Sequence, residues 1–216
     1  MKKALFIGIF VSISSIILNA QNASDLFNSK DVKISWLGID FSHAKLIGSF
    51  AEFSEMGTKS TIVIKNKYFT GWNKLILNEA KKYDIKGMLY RNSITNDIDM
   101  IMAKNAQTPE ASIESYNAIT YNNEDITKFV NEYNTEGKSG IGIVFLVENL
   151  NKSITEASIY FVAINLSTKE VLIAERFIET PKGIGIRNYW ANTFYKMIKD
   201  IQSNKYSQWQ SKYAKK

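Results

Sequence analysis

The single histidine, His43, stands beside Ser42 and three residues after Asp40, the residue types of a nucleophile–base–acid relay. A relay needs its three groups face to face, with the base touching both partners. Neighbours on one strand or turn do not converge in that way, and there is no second histidine to recruit. His43 therefore reads as a surface or capping residue. The chain has no cysteine, which excludes a thiol nucleophile, disulfides and thiolate-held zinc or iron–sulfur clusters. One histidine also excludes a histidine-rich zinc site. No catalytic residue and no cofactor is assigned from these groups.

The acids offer two further sites. Asp97 and Asp99 share one face of an expected strand over 97–103. With Asn96 they could serve a cation, which wants several oxygen ligands, although two solvated acids is the plainer reading. Glu148 follows the apolar run 141–147, at the end of a central strand. Ligand sites of α/β folds form at such ends, but the simpler expectation is that Glu148 ends the strand in water.

Two glycine motifs fail on spacing. Gly137-Lys138-Ser139 matches the close of a P-loop, yet Glu132 stands where its first glycine belongs, and strand and helix come in the wrong order. Gly183-Ile184-Gly185 precedes a helix whose amides could hold an anion. Asn188 occupies the third glycine position of a dinucleotide fingerprint, so a tight turn is expected there.

The tail combines aromatics with lysines. Tyr206, Trp209 and Tyr213 fall on one face of a continued helix, among Lys205, Lys212, Lys215 and Lys216, with no acid. That pattern suits a headgroup surface or an acidic partner. The same aromatics could pack on the domain and leave the lysines in water. Tyr206, Trp209, Lys212 and Tyr213 are the candidate interaction residues.

The N-terminus reads as an address. Met1-Lys2-Lys3 is basic, residues 4–18 are apolar apart from Ser12, Ser14 and Ser15, and Asn19-Ala20 meets a polar run. This is a secretory signal peptide pattern, with cleavage expected after Ala20. The apolar stretch is short for a membrane span of about 20 residues. Losing Lys2 and Lys3 lowers the net charge from +6 to +4. So mild and dispersed a charge, on an exported chain, argues against a nucleic-acid partner. Export without cysteine fits a bacterial envelope, in which the acceptor patterns at Asn151 and Asn165 carry no glycan.

The elements that must position these residues follow from periodicity. Residues 21–30 are polar and read as a flexible arm. Alternation predicts a strand over 31–40, and 44–53 a short helix. Helical spacing predicts 70–83, with Thr70 as its cap, and 124–134, capped by Asn123. Residues 88–90 read as a short strand. The run 141–147 reads as a strand covered on both faces. Strands 157–165 and 171–178 form an antiparallel hairpin. The last helix repeats Ile186, Trp190, Phe194, Met197, Ile198 and Ile201 at steps of three and four. The expected class is α+β, an α/β sandwich: a mixed sheet of about five strands with helices packed on it, in the order β-α-β-α-β-β-β-α. One globular domain is expected over 31–203, with 204–216 as a basic aromatic helical extension.

The run 141–147 followed by Ala157 to Leu172, a hairpin around Asn165-Leu166-Ser167-Thr168-Lys169-Glu170-Val171-Leu172, resembles the hairpin of envelope proteins sharing the curli-secretion-channel, TolB N-terminal and penicillin-binding-protein-activator fold. Asn165 stands where those proteins often carry Asp, and Lys169 where they often carry Gly. Residues 183–190 are similar to a segment of small exported bacterial proteins. The resemblance implies a non-catalytic, envelope-associated interaction domain with a protein partner. Two alternatives stay open. One is an exported hydrolase or small-ligand or metal-binding protein, with carboxylates under the 41–68 loop. The other is membrane-surface attachment through the tail.

Overall fold

The computed structural model describes residues 21–50 and 61–214. The expected leader, residues 51–60 and the last two lysines lie outside the described residues.

A mixed, mostly parallel sheet forms the middle layer. Its central strand is β5 (Ile141–Asn151), buried along all eleven residues. One edge of β5 pairs in parallel with β1 (Ile34–Asp40), then further along with β2 (Lys45–Ile47). The two-residue strands β3 (Thr95–Asn96) and β4 (Glu114–Ser115) extend that side beyond β1 and β2. The other edge of β5 carries the antiparallel hairpin β6 (Glu156–Asn165) and β7 (Val171–Glu179). The hairpin expected from 157–165 and 171–178 is therefore present.

Alternation along β5 divides the core. Ile141, Ile143, Phe145 and Val147 join the larger cluster with Trp36, Trp72, Trp190 and Phe194, while Val144 and Leu146 join the smaller one with Ile126 and Val130. Both faces are covered, which is why this strand reads as a continuous apolar run.

Among the described residues six helices supply the outer layers. The first, α1 (Asp25–Asn28), lies in the expected flexible arm, but its Leu26 is fully buried. Arg91 ties it down by donating to the carbonyls of Ser29, Asp25 and Leu26. The second, α2, runs through Thr61–Val63, a π segment Ile64–Phe69 and Thr70–Asn78. Its wide turn buries Tyr68 and Phe69 side by side. Thr70, expected as a cap, is therefore inside a longer helix.

Three other expectations are corrected. Residues 88–90, expected as a strand, close the short helix α3 (Ile85–Met88), capped by Asp84. Residues 97–103, expected as a strand, enter α4 (Asp99–Gln107). The buried residues of α4 are Ile101 and Asn105, four apart, so the helical period wins over the alternation of Ile98, Met100 and Met102. Residues 44–53, expected as a helix, contribute β2, held by pairing with β5. The next helix, α5 (Asn123–Asn131), begins at the expected cap Asn123, and its cap is one residue earlier, at Asn122. Asn122 and Asp125 form a reciprocal capping box. The last, α6, runs through Gly185–Asp200, a π segment Ile201–Lys205 and Tyr206–Tyr213.

One backbone detail sets the end of β1. The strand bulges between Trp36 and Gly38, and Gly38 has φ 109°. A Cβ there would meet Asn73 Oδ1 at 2.5 Å. Without it, the buried Asn73 accepts the Ile39 N–H at 2.7 Å and donates to the Ile39 carbonyl at 2.9 Å. Asn105 accepts the Phe41 N–H at 2.7 Å and donates to the Ile39 carbonyl at 2.8 Å. Two helical asparagines thus serve backbone groups that the two-residue β3 does not reach.

Candidate functional site

The carboxyl ends of β1 and β5 carry the densest set of polar groups. Asp40, at the end of β1, is 1% exposed. Its Oδ1 accepts the Ser42 N–H at 2.7 Å and its Oδ2 accepts the Tyr133 hydroxyl at 2.6 Å. Burial, reinforced by the Asp40 charge, pushes the Tyr133 phenol well above its ordinary range. Tyr133 is therefore a fixed donor rather than a base.

His43 takes different partners. Its ring stacks on Phe129 at 3.7 Å and 15°. Its Nε2 lies 2.9 Å from Glu132 Oε2, which also accepts from Lys104 Nζ. Asp40 holds the amide of Ser42, not its hydroxyl, which is buried without a hydrogen-bond partner. The structure thus separates Asp40, Ser42 and His43 into two arrangements, and no relay is assembled.

Glu148 corrects the expectation of a solvated strand end. It is fully buried at the bulge between Val147 and Asn149, and β5 continues to Asn151. Arg176 reaches it from β7, with Nε at 2.8 Å and Nη2 at 2.5 Å from Oε2. Its Oε1 accepts the Tyr121 N–H at 2.7 Å. Asn149 holds Ile119 from both sides, accepting its N–H at 3.1 Å and donating to its carbonyl at 2.7 Å. The Tyr160 hydroxyl donates to the Tyr121 carbonyl at 2.6 Å, and the Tyr121 hydroxyl to the His43 carbonyl at 2.7 Å. Residues 119–121 are therefore strapped over β5 by side chains acting as a substitute strand. Burial first, then the charge of Glu148, pushes the Tyr121 phenol up. Tyr121, Tyr133, Asn149 and Arg176 escaped the sequence reading. Only Arg176, charged in the middle of an apolar strand, left a local signal.

Apart from the Ser42 hydroxyl, the cluster satisfies its own polar groups. Each carboxylate is engaged by a fixed donor and each buried phenol remains a hydroxyl. The Glu132 carboxylate shows it: burial pushes its pKa up, but hydrogen bonds from Lys104 and His43 outweigh that and hold it below its ordinary value. Because the folded value lies below the unfolded one, this stabilisation is full above the unfolded glutamate's pKa. It is lost as pH falls through the folded value. Glu132→Gln should therefore be less stable than the parent at pH 7 by under about 1 kcal/mol, as for a half-exposed pair. The gap should narrow as pH falls below the unfolded glutamate's range. Urea midpoints followed down that range measure it, and a gap that does not change with pH would refute it.

The other sequence candidates lie elsewhere. Asp97 follows β3 and pairs with Lys138 at 2.5 Å, while Asp99 is exposed in the first turn of α4. The two do not share a strand face as expected. Among the described residues no group of three acids or histidines could hold a metal. Gly183 and Gly185 both have positive φ, 138° and 76°, and turn the chain into α6. Asn151 and Asn165 are buried, and their side-chain oxygens accept turn amides at Ser153 and Ser167. Neither can carry a glycan in the folded chain.

The tail aromatics face the domain. Trp209 is 3% exposed, with its ring 4.6 Å from that of Phe161, and it donates to the Glu175 carboxylate. Tyr206 meets Phe27 edge-on at 5.3 Å, and Tyr213 stacks on Phe27 at 6.4 Å. Of the four interaction candidates only Lys212 is exposed.

Two surface features remain. A cavity of about 300 Å³ lies beside the end of α2, with Ile76, Ala80, Tyr83, Ile85 and Ile94 in its wall. Among the described residues β7 pairs with β6 alone, so its outer edge is open. Near the end of that edge Ile178 is 54% exposed. No family model, curated protein or solved structure matches the chain.

Proposed function

We propose that the chain is an exported bacterial envelope protein of non-enzymatic type, an interaction or assembly accessory domain. It receives an extended segment of a protein partner along β7. The open nine-residue edge of β7 carries this reading. Unpaired backbone donors and acceptors on such an edge are a template for strand addition. Folded proteins usually guard edges with exposed lysine or with proline, and β7 has neither. Two of its three charges are turned to other work, Arg176 to Glu148 and Glu175 to Trp209 and Lys205, while Glu179 stands at its end.

Three further features support the reading. The leader pattern of residues 1–20 directs export. No described helix is long and apolar enough to cross a membrane. Asp40, Asp97, Glu132 and Glu148 are each committed to an internal partner. The hairpin resemblance to envelope interaction domains agrees with them.

The test places a photocrosslinking residue at Ile178, or at the fully exposed Tyr116 as a control, in the exported protein. The expected result is one discrete protein adduct from Ile178 and none from Tyr116. Amide exchange over 171–179 should also slow when that purified protein is added. No adduct and no protection would sink the reading. A small molecule that co-purifies in stoichiometric amount and protects 76–94 would favour a second one, ligand binding in the cavity beside α2, whose wall also holds Asp84, Lys86 and Asn96.

A further inference from the structure

A cavity of about 580 Å³ opens at the amino ends of β1 and β3, between the chain that follows α1 and Tyr206 of α6. Its charges are lopsided. Lys30, Lys33 and Arg91 stand in the wall with one acid, Asp31, a net charge of +2. Among the described residues none of these four makes an ion pair. Arg91 is the fixed member. It donates to the Ser29 carbonyl at 2.5 Å and to the Leu26 and Asp25 carbonyls at 2.6 and 3.2 Å. Those carbonyls take three of the five N–H groups of a guanidinium and bring no opposite charge. Burial pulls the Arg91 guanidinium below its ordinary range, as it does for a cation without a counter-ion. Asn92, Ser93 and Thr95 line the same wall, and their side chains make no hydrogen bond among the described residues. The rings of Phe27 and Tyr90 flank Tyr206 there, at 5.3 and 4.8 Å.

We propose that this cavity is a binding site for a phosphomonoester carried on a small polar body such as a sugar. A phosphomonoester brings a charge of roughly −2 at neutral pH and three strong acceptor oxygens. That charge answers the wall, whereas a carboxylate would leave one cation without a partner. Arg91 supplies donors whose direction is already fixed by the three carbonyls. Lys30 and Lys33, both exposed, supply point charges on flexible stems. The cavity is larger than a phosphate group, and the remainder suits the body of the ester. Asn92, Ser93 and Thr95 can bond its hydroxyls, and the three rings offer its carbons an apolar face. The site is remote from the β7 edge and is independent of export.

The experiment titrates the purified full chain by calorimetry with glucose 6-phosphate, inorganic phosphate, glucuronate and glucose, and follows amide exchange over 91–95. Glucose 6-phosphate is expected to bind at one site and to slow exchange there. Glucuronate, a monoanion of the same size, should bind about tenfold more weakly or worse, and glucose not at all. Lys30→Gln combined with Lys33→Gln removes two exposed charges that hold nothing in the fold, so the urea midpoint should stay at the parent's value. The same double variant should lose about tenfold or more in affinity for glucose 6-phosphate. Vesicles containing phosphatidic acid test a lipid headgroup as the source of the phosphate. Protection of 91–95 by those vesicles and by no soluble ester would keep the phosphate and overturn the polar body. Equal binding of glucuronate, or affinity unchanged in the double variant, would overturn the charge match and the proposal with it. So would the absence of any protection by glucose 6-phosphate, inorganic phosphate and vesicles alike.

Discussion

Replacing Trp209 with alanine is expected to destabilise the chain by about 3–5 kcal/mol, the range for truncating a buried tryptophan. The indole is 3% exposed, tilted over Phe161 at 4.6 Å and edge-on to Phe177 at 6.4 Å. Its removal leaves a cavity between α6 and the hairpin, and it strips the indole donor from Glu175, which keeps Lys205 at 2.5 Å. Lys212→Ala, exposed on the same helix, should stay within about 0.5 kcal/mol of the parent. Urea unfolding of both variants, with sedimentation on anionic vesicles alongside, separates the roles of the tail. A Trp209→Ala protein as stable as its parent, and weakened only in vesicle binding, would return the aromatics to a membrane surface.

The tail also shows why the fold was more legible than its use. Steps of three and four place Tyr206, Trp209 and Tyr213 on one side of a helix, and that much is local. Whether the side faces lipid or protein depends on Phe27 and Phe161, which no spacing within the tail reveals. The strand over 141–147 was legible as an unbroken apolar run between turn residues, and the last helix because its steps of three and four repeat long enough to exclude a strand; the four further residues of β5, from Glu148 to Asn151, were not. The segment at 97–103 was not, since Ile98, Met100 and Met102 fit alternation while Ile98, Ile101 and Asn105 fit a helix. Two-residue strands such as β3 and β4 have no period of their own. They exist because β1 and β2 offer them an edge.

The polar cluster was hidden for a related reason. Asp40 and Tyr133 are 93 residues apart in sequence, and Tyr121 and His43 are 78 apart. A carboxylate after an apolar run looks like a strand end reaching water, and only the register of three strands shows otherwise. Leu146 lies opposite Tyr160, and Tyr160 opposite Arg176. A bulge between Val147 and Asn149 then marks the place of Glu148, within reach of that arginine.

That geometry makes Arg176→Met the second large effect. The substitution keeps the apolar stem but leaves the Glu148 carboxylate, fully buried, with neutral donors alone at Tyr121 and Asn149. Breaking a buried ion pair from one side costs about 3–5 kcal/mol. Because the Arg176 side chain is 29% exposed, water entering its place sets the expected loss near the lower end. Glu148→Gln with Arg176→Met removes both charges and keeps an acceptor for the Tyr121 amide. The double variant should therefore recover most of the loss, with a coupling energy of about 1–3 kcal/mol in the cycle. Amide exchange at Tyr121 provides the local readout. It should quicken in Arg176→Met, because a carboxylate drawn toward water loosens the strap, and return toward the parent rate in the double variant. If the two single losses simply add, Glu148 and Arg176 act independently. The strap over β5 would then be held by Asn149 and Tyr160 without the ion pair.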